Sequence, residues 1–590
     1  MKTKLIYTLA LLTFIFSACE DYLEPYPNGD RSDEDIWVYP EMAQGLIGQA
    51  YDFIPRNYND NDGAFLDCAT DNAVSTSTTR NIRNISVGAW TTSNDPFDNY
   101  WERNYRGIAS INRFLEDDKG FNTRYMVEPL LDSLLRTRLQ GEAFGLRAWF
   151  YWDLLQKFGG KGENGQLLGV PVVTEVFPNI TDNIKLERNT YDETVEQILK
   201  DLDEAYNYLP LAHRDFLTKP EHQTILGSRC YGRVSGIITR AIKANVYLTW
   251  ASPTFNPNND MARWDNAAKY AKEVMDFKLN VDNVNKGFDP QKPVNWVHPE
   301  YPSFIWASRY STNNDAMERM FYPGGFQGDG QMGPSQELID AFPMANGYPI
   351  DDPRSGYDPQ NPYANRDPRF YSTIFYNGAE ARRNNTGSIM YTFETYDGGK
   401  DMAYAAPDNT LTNYYIKKFV YMGLNWSDNS IDRQRHCKAL IRWAHMVLAF
   451  AEAANEVEGP NGNKYGLSAK DALAMLRSRD TENGDGGIAD DQYLEEMAAD
   501  KDSFRELIRN ERRIITAFEG MRFYDQRRWG LNLNTPVHGA KITRNGDDSY
   551  SFDKQLIETR AYPSPFVPIP FEEVLRMPDL VQNEGWASWK

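Results

Sequence analysis

Between Arg505 and Arg528 the chain carries Arg505, Arg509, Arg512, Arg513, Arg522, Arg527 and Arg528, with Glu506, Glu511, Glu519 and Asp525 set among them. Such a run could form an anion-binding face. The acids match the spacing of the arginines, so structural ion pairs beside apolar helices are the preferred reading. Arginine's rigid fork suits pairing of that partly buried kind.

Other chemistry-bearing patterns fail on context. Gly328, Gly330 and Gly333 satisfy G-x-G-x-x-G, but Arg319 to Gly325 does not read as a buried strand and Pro334 follows. A dinucleotide fold needs strand, turn and helix in that order. Asp60 and Asp62 before Gly63 suggest a calcium loop, yet Tyr58 holds its first ligand position and Ala69 its twelfth. His436, Cys437 and His445 lack zinc spacing. Neither a G-x-S-x-G elbow nor a P-loop lysine pattern is present. No metal, cofactor or catalytic residue is therefore expected. The paired carboxylates of a glycosidase follow no fixed spacing, which keeps a surface glycoside hydrolase as the alternative.

Aromatic residues are plentiful, with 14 Trp, 35 Tyr and 30 Phe. Some belong to helical stripes, among them Trp149, Phe150 and Trp152. Others sit in polar, turn-rich text: Trp90 just before Asn94, and Trp306, Tyr310 and Tyr322 among Ser308, Asn313, Asn314 and Gly324. A flat ring offers a stacking face to the C–H side of a sugar, while amides and hydroxyls bond its hydroxyl groups. Trp90, Asn94, Trp306, Tyr310 and Tyr322 are the candidate ligand residues. For Trp90, a core position under a turn is an equal reading.

The elements that must position these residues are mostly helices. Ala143, Leu146, Phe150, Leu154 and Phe158 share one stripe, with Gly159-Gly160 as its stop. Thr190 and Glu193 form a capping box ahead of Val195, Ile198, Leu199 and Leu202. Further helices are predicted over Arg240–Trp250 and from Trp264 to Met275. Near the C-terminus, Ile441, Ala444, Leu448, Ala451 and Asn455 share a face. Ser468 with Asp471 and Ser503 with Glu506 read as caps, and Phe504 to Phe518 as an amphipathic stripe. Residues 280–430 instead crowd Gly, Pro, Asn, Asp and Tyr, as loops with short strands do. Long ordered loops on a rigid frame are usually functional, so the ligand region is placed there.

Lys2 and Lys4, the apolar run Leu5 to Phe16 and Ser17-Ala18 ahead of Cys19 read as a secretory signal over residues 1–18. The run falls short of the ~20 residues that span a bilayer. Phe16-Ser17-Ala18-Cys19 resembles a bacterial lipobox with Phe where Leu is common, which makes Cys19 the lipidated N-terminus. More than one acyl chain there gives stable anchoring. Glu20 and Asp21 resemble the signal that sends Bacteroidetes lipoproteins to the outer face of the outer membrane. Cys68, Cys230 and Cys437 are odd in number and widely spaced, and read as buried thiols. The net charge of −20 argues against nucleic acid as a partner, which needs a dominant basic face.

Arg509-Asn510-Glu511-Arg512-Arg513 through Phe518-Glu519-Gly520-Met521-Arg522-Phe523-Tyr524-Asp525 to Arg527-Arg528-Trp529-Gly530 is similar to the C-terminal signature of the RagB/SusD family of nutrient-uptake lipoproteins. Met521, Gln526 and Glu584 stand where that family often has His, Leu and Pro. Gly141-Glu142-Ala143, Phe158-Gly159-Gly160, Asn365-Arg366-Asp367-Pro368-Arg369, Ala451 to Glu456 and Pro568-Ile569-Pro570 agree with it too. The resemblance implies a mainly α, SusD-like fold of tetratricopeptide-like helix pairs. A helical N-terminal region would cover 19–279, and a C-terminal region, 280–590, would include the loop-rich insertion of about 280–430. It further implies a SusC-like TonB-dependent barrel as partner, and a glycan (or in some relatives a peptide) as the ligand handed to it without catalysis.

Overall fold

The computed structural model describes residues 35–586, except 59–62, 79, 178–184, 214–218, 283–288, 290–293, 295, 297–299, 309–315, 383–389, 423–435, 479–486 and 489. Helices dominate. The longer ones are α1 (Pro40–Asp52), α2 (Asp98–Leu115), α3 (Pro129–Phe158), α4 (Tyr191–Tyr208), α5 (Gly236–Ala251) and α6 (Met261–Phe277). After the loop-rich stretch come α7 (Trp443–Glu458), α8 (Ala469–Arg477), α9 (Lys501–Ile515) and α10 (Met521–Arg528).

Helix α3 is the axis of the N-terminal half. Glu128 caps it by accepting from the Leu131 N–H, and Pro129 opens it where a missing N–H costs nothing. The predicted stripe is fully buried, but so are Arg138, Glu142, Arg147, Asp153 and Lys157 around it. A helix enclosed on all sides must pair its charges. Arg147 does so with Asp201 of α4 at 2.7 Å, and Glu142 with Arg233 at 2.7 Å. Gly159 ends α3 with an extended backbone rather than a left-handed one. Its role is close approach, because a Cβ there would lie 2.6 Å from the Leu155 carbonyl oxygen.

Helix α4 carries the predicted capping box, with both the Thr190 and Glu193 halves made. Helices α2 and α4 pack on α3, α5 packs on α4 and α6, and α6 packs on α7, giving the expected helix-pair scaffold. Three expectations change. Ile441 lies in strand β4 (Ala439–Arg442), so helix α7 starts two residues later than its stripe suggests. Asp500, not Ser503, caps α9 by accepting from the Ser503 N–H at 2.8 Å. Phe518 falls beyond α9 at φ +65°, where the chain turns toward Gly520 and α10.

The stretch 280–430 is tied into the body by short antiparallel ladders. Strand β2 (Phe304–Ala307) pairs with β4, and β3 (Met332–Pro334) pairs with β1 (Ala73–Ser75). A longer hairpin, β5 (Pro536–Arg544) and β6 (Tyr550–Thr559), follows α10. None of the helices in the described residues is long and apolar enough to cross a membrane.

Candidate functional site

The arginine-rich segment is a buried scaffold. Glu519 accepts from Arg442 at 2.8 and 2.7 Å and from Lys418 at 2.7 Å, with His445 Nε2 at 2.8 Å. Burial pushes this carboxyl up, but Arg442 and Lys418 outweigh it and hold the group well below the usual carboxylate range. Glu511 joins Arg369 and Arg477. Asp525 joins Arg512 and Arg528, and Arg528 reaches Glu452 of α7. Asp71, from the far end of the chain, accepts from Arg522 and Gln526. The segment is thus committed to structural ion pairs, but only Glu506 with Arg509 and Asp525 with Arg512 and Arg528 pair within it, while Glu511 and Glu519 are taken by bases from outside.

The histidines are likewise committed, His436 to Glu318 at 3.0 Å and His445 to Glu519, and the described residues contain no cluster able to hold a metal. Gly333 lies within β3 rather than after a strand, so the glycine pattern lacks the dinucleotide geometry. Asp60 and Asp62 lie outside the described residues. Cys68, Cys230 and Cys437 are buried and unpaired. Burial pushes the Cys68 and Cys437 thiols up to about 12, so neither is a nucleophile at neutral pH.

The candidate ligand residues fare differently. Trp90 is 3% exposed, boxed by Phe97, Tyr562 and Trp586, and donates its Nε1–H to Asp95 at 3.2 Å. Trp306 is 2% exposed, edge-on to Trp149, and donates to the Gly232 carbonyl at 2.9 Å. Tyr322 is 1% exposed against Phe326 and Phe375. With both faces packed, these three rings cannot stack on a sugar, which corrects the expectation that they do. Asn94 is partly exposed in a turn, donating to the Ala89 carbonyl at 3.3 Å. Tyr310 and Cys19 lie outside the described residues. Nor do the segments converge: Trp90 meets the C-terminal end of the chain, whereas Trp306 meets α3.

Asp95 gives the Trp90 turn a pH response. Burial, against the Phe97 N–H bond, pushes its carboxyl up to about 8. A raised acid stabilises the fold most below its unfolded value near 3.8, and that contribution is lost as pH rises toward about 8. The expected result is that Asp95→Asn flattens the decline in melting temperature between pH 5 and 8. An unchanged slope would show Asp95 to be ionised in the fold throughout.

Accessible rings gather instead on the β5–β6 hairpin. Strand alternation puts Tyr550 and Phe552 on one face of β6, both half-buried. Tyr363 stands edge-on to Phe552 at 5.4 Å, Phe552 is 6.4 Å from Tyr550, and Tyr550 is 5.5 Å from Tyr396. These four rings line a groove of about 920 Å³.

Backbone bonds fix the groove's walls. The Ala540 N–H donates to the Thr412 carbonyl at 3.0 Å and the Asp397 N–H to the Ile542 carbonyl at 2.7 Å, docking the hairpin and Tyr396's segment together. On one rim, Asp358 accepts from Gln360 and Asn361, ordering the turn that presents Tyr363. On the other, Asn545 donates to Ser549 and Ser551. Asn377, which also lines the groove, accepts from the Thr395 N–H at 3.0 Å. Half-buried rings bordered by ordered amides and hydroxyls can stack on and hydrogen-bond a polyol.

Sequence reading missed this cluster because its four rings come from three segments, 363, 396 and 550–552. The available signal was the alternation Tyr550-Ser551-Phe552, with polar residues between and around the rings.

The SusD family description matches residues 302–586, and one named "Starch-binding associating with outer membrane" matches residues 21–230. Two SusD-like proteins of Formosa agariphila are similar, at 23% identity over 90% of this chain and 92% of the relative, and at 22% over 99% of each. A SusD-like protein of Bacteroides fragilis superposes with a TM-score of 0.69 at 25% identity, covering 94% of this chain and 99% of that one. A SusD-like carbohydrate binding protein of the same organism gives 0.68 at 21%, covering 92% and 99%.

Proposed function

Because the chain belongs to the SusD family, we propose that it is a surface lipoprotein that captures a glycan in the β5–β6 groove and hands it, uncut, to a SusC-like TonB-dependent barrel. The observation that carries the binding step is the row Tyr363, Phe552, Tyr550 and Tyr396 beside Asn377 and Asn361. Carbohydrate binding by a solved relative and the outer-membrane association in the family's description favour the same role. Retention in a native gel cast with polysaccharide tests capture, and the absence of new reducing ends separates it from hydrolysis. Hydrolysis by the purified protein would make it a glycosidase.

Ser17-Ala18-Cys19-Glu20-Asp21 supports the anchor. Cys19→Ala should move the protein from the membrane fraction to the soluble one, and wild type in mild detergent should bring a large β-barrel protein with it. A Cys19→Ala protein still held and labelled at the cell surface would remove the anchor, and wild type recovered alone would remove the barrel.

A further inference from the structure

Granted that the groove is the glycan site, we infer that it takes an internal stretch of an extended, uncharged glycan chain, not a chain end and not a sulfated or uronic-acid polymer. Shape argues for the stretch. The rings form a row rather than a box, each 5.4 to 6.4 Å from the next. The lining residues Gln360, Asn361, Asp548 and Ser549 are all exposed, so the row opens to solvent and not into a closed pocket. A site for a chain terminus would close around the end it recognises, since buried donors left unpaired by a longer chain give the discrimination.

Charge argues for neutrality. The ionisable acids and bases lining the groove are Glu394, Arg544 and Asp548, two acids to one cation. Arg544 already faces Asp548 at 2.8 Å, with its guanidinium 5.6 Å from the centre of the Tyr396 ring, and Glu394 faces Lys400 at 3.6 Å. A polyanion would need several unopposed cations spaced along its length, and none of the described lining residues supplies one. The protein's net charge of −20 adds repulsion at longer range. Asn361, Asn377, Asn545, Ser549 and Ser551 are groups suited to hydroxyls.

The test is titration calorimetry of the intact mature protein against amylopectin, galactomannan and xyloglucan as neutral probes and against alginate, polygalacturonate and chondroitin sulfate as anionic ones. Oligosaccharides of increasing length from the best binder follow. Binding should be confined to the neutral set, change less than about twofold between low and high salt, and tighten with chain length. Tyr396→Ala, removing the terminal ring, should erase the gain from the longest oligosaccharides while leaving the short ones bound. Salt-sensitive binding of an anionic polymer that is lost with Tyr550→Ala overturns neutrality and leaves glycan capture in the groove standing. A monosaccharide that competes as well as its oligosaccharides overturns the extended stretch. Binding of any glycan unchanged in folded Tyr550→Ala overturns the groove itself.

Discussion

Replacing Glu519 with Ala is expected to destabilise the protein by about 3–5 kcal/mol, the cost of leaving buried charge without its partner. The carboxylate is 1% exposed and takes bonds from Arg442 and Lys418, with His445 beside it. Without it, the guanidinium of Arg442 keeps its charge in a dry site. Lys418, whose ammonium burial already pushes down against the pull of Glu519, can escape only by shedding its proton. Glu519→Gln should cost less, because an amide still accepts one of the bonds. Adding Arg442→Met to Glu519→Ala should recover part of the loss. Chemical denaturation followed by circular dichroism reads all three. A Glu519→Ala protein that unfolds at the wild-type midpoint would show that the cluster is solvated.

The same cluster sets an acid limit. Burial pushes His445 down to about 4 from an ordinary 6.5, although Glu519 opposes the shift. In the window between those values the unfolded chain binds a proton that the folded one refuses. Stability therefore falls as pH drops from about 6.5 to about 4.

The largest effect on binding is expected from Tyr550, the inner ring flanked by Phe552 and Tyr396. Tyr550→Ala should weaken glycan binding by roughly 1–2 kcal/mol, about five- to thirty-fold, combining lost stacking with lost apolar contact. The ring is half-buried on an exposed strand, so the melting temperature should move by only a few degrees. Tyr550→Phe keeps the stacking face and should keep most of the affinity. Tyr396 lies 5.5 Å away, so the double Ala variant should lose an amount different from the sum of the singles. Full binding by a folded Tyr550→Ala protein would move the site off the hairpin.

Local chemistry made much of the helical frame legible in advance. The Thr190–Glu193 box and the Ala143–Phe158 stripe appear in the structure because caps and periodicity are interactions within a few residues. Boundaries were less legible where two elements share one apolar run. Ile441 continues the stripe of α7, yet its backbone pairs with Trp306 in a ladder that no local pattern announces. Likewise Asp500 outcompetes Ser503 for the cap, a contest between neighbours three residues apart.

The ion-pair reading of the arginine segment followed from composition, since an acid accompanied each group of bases. Its partners did not follow. Glu511 reaches Arg369, 142 positions away, and Arg522 reaches Asp71 across 451 positions. The aromatic residues show the same limit more sharply. Trp90 sits in polar text that reads as an open turn, but Trp586 and Tyr562 from the other end of the chain close over it. Tyr550 and Phe552 alternate with polar residues in a plain hairpin, and only the arrival of Tyr363 and Tyr396 makes them a groove. Sequence determined the helices, the family signature and the supply of rings and charges. Which rings are covered and which remain open was decided by tertiary packing, because burial depends on segments hundreds of residues apart, and neighbouring residues carry no record of what will cover them.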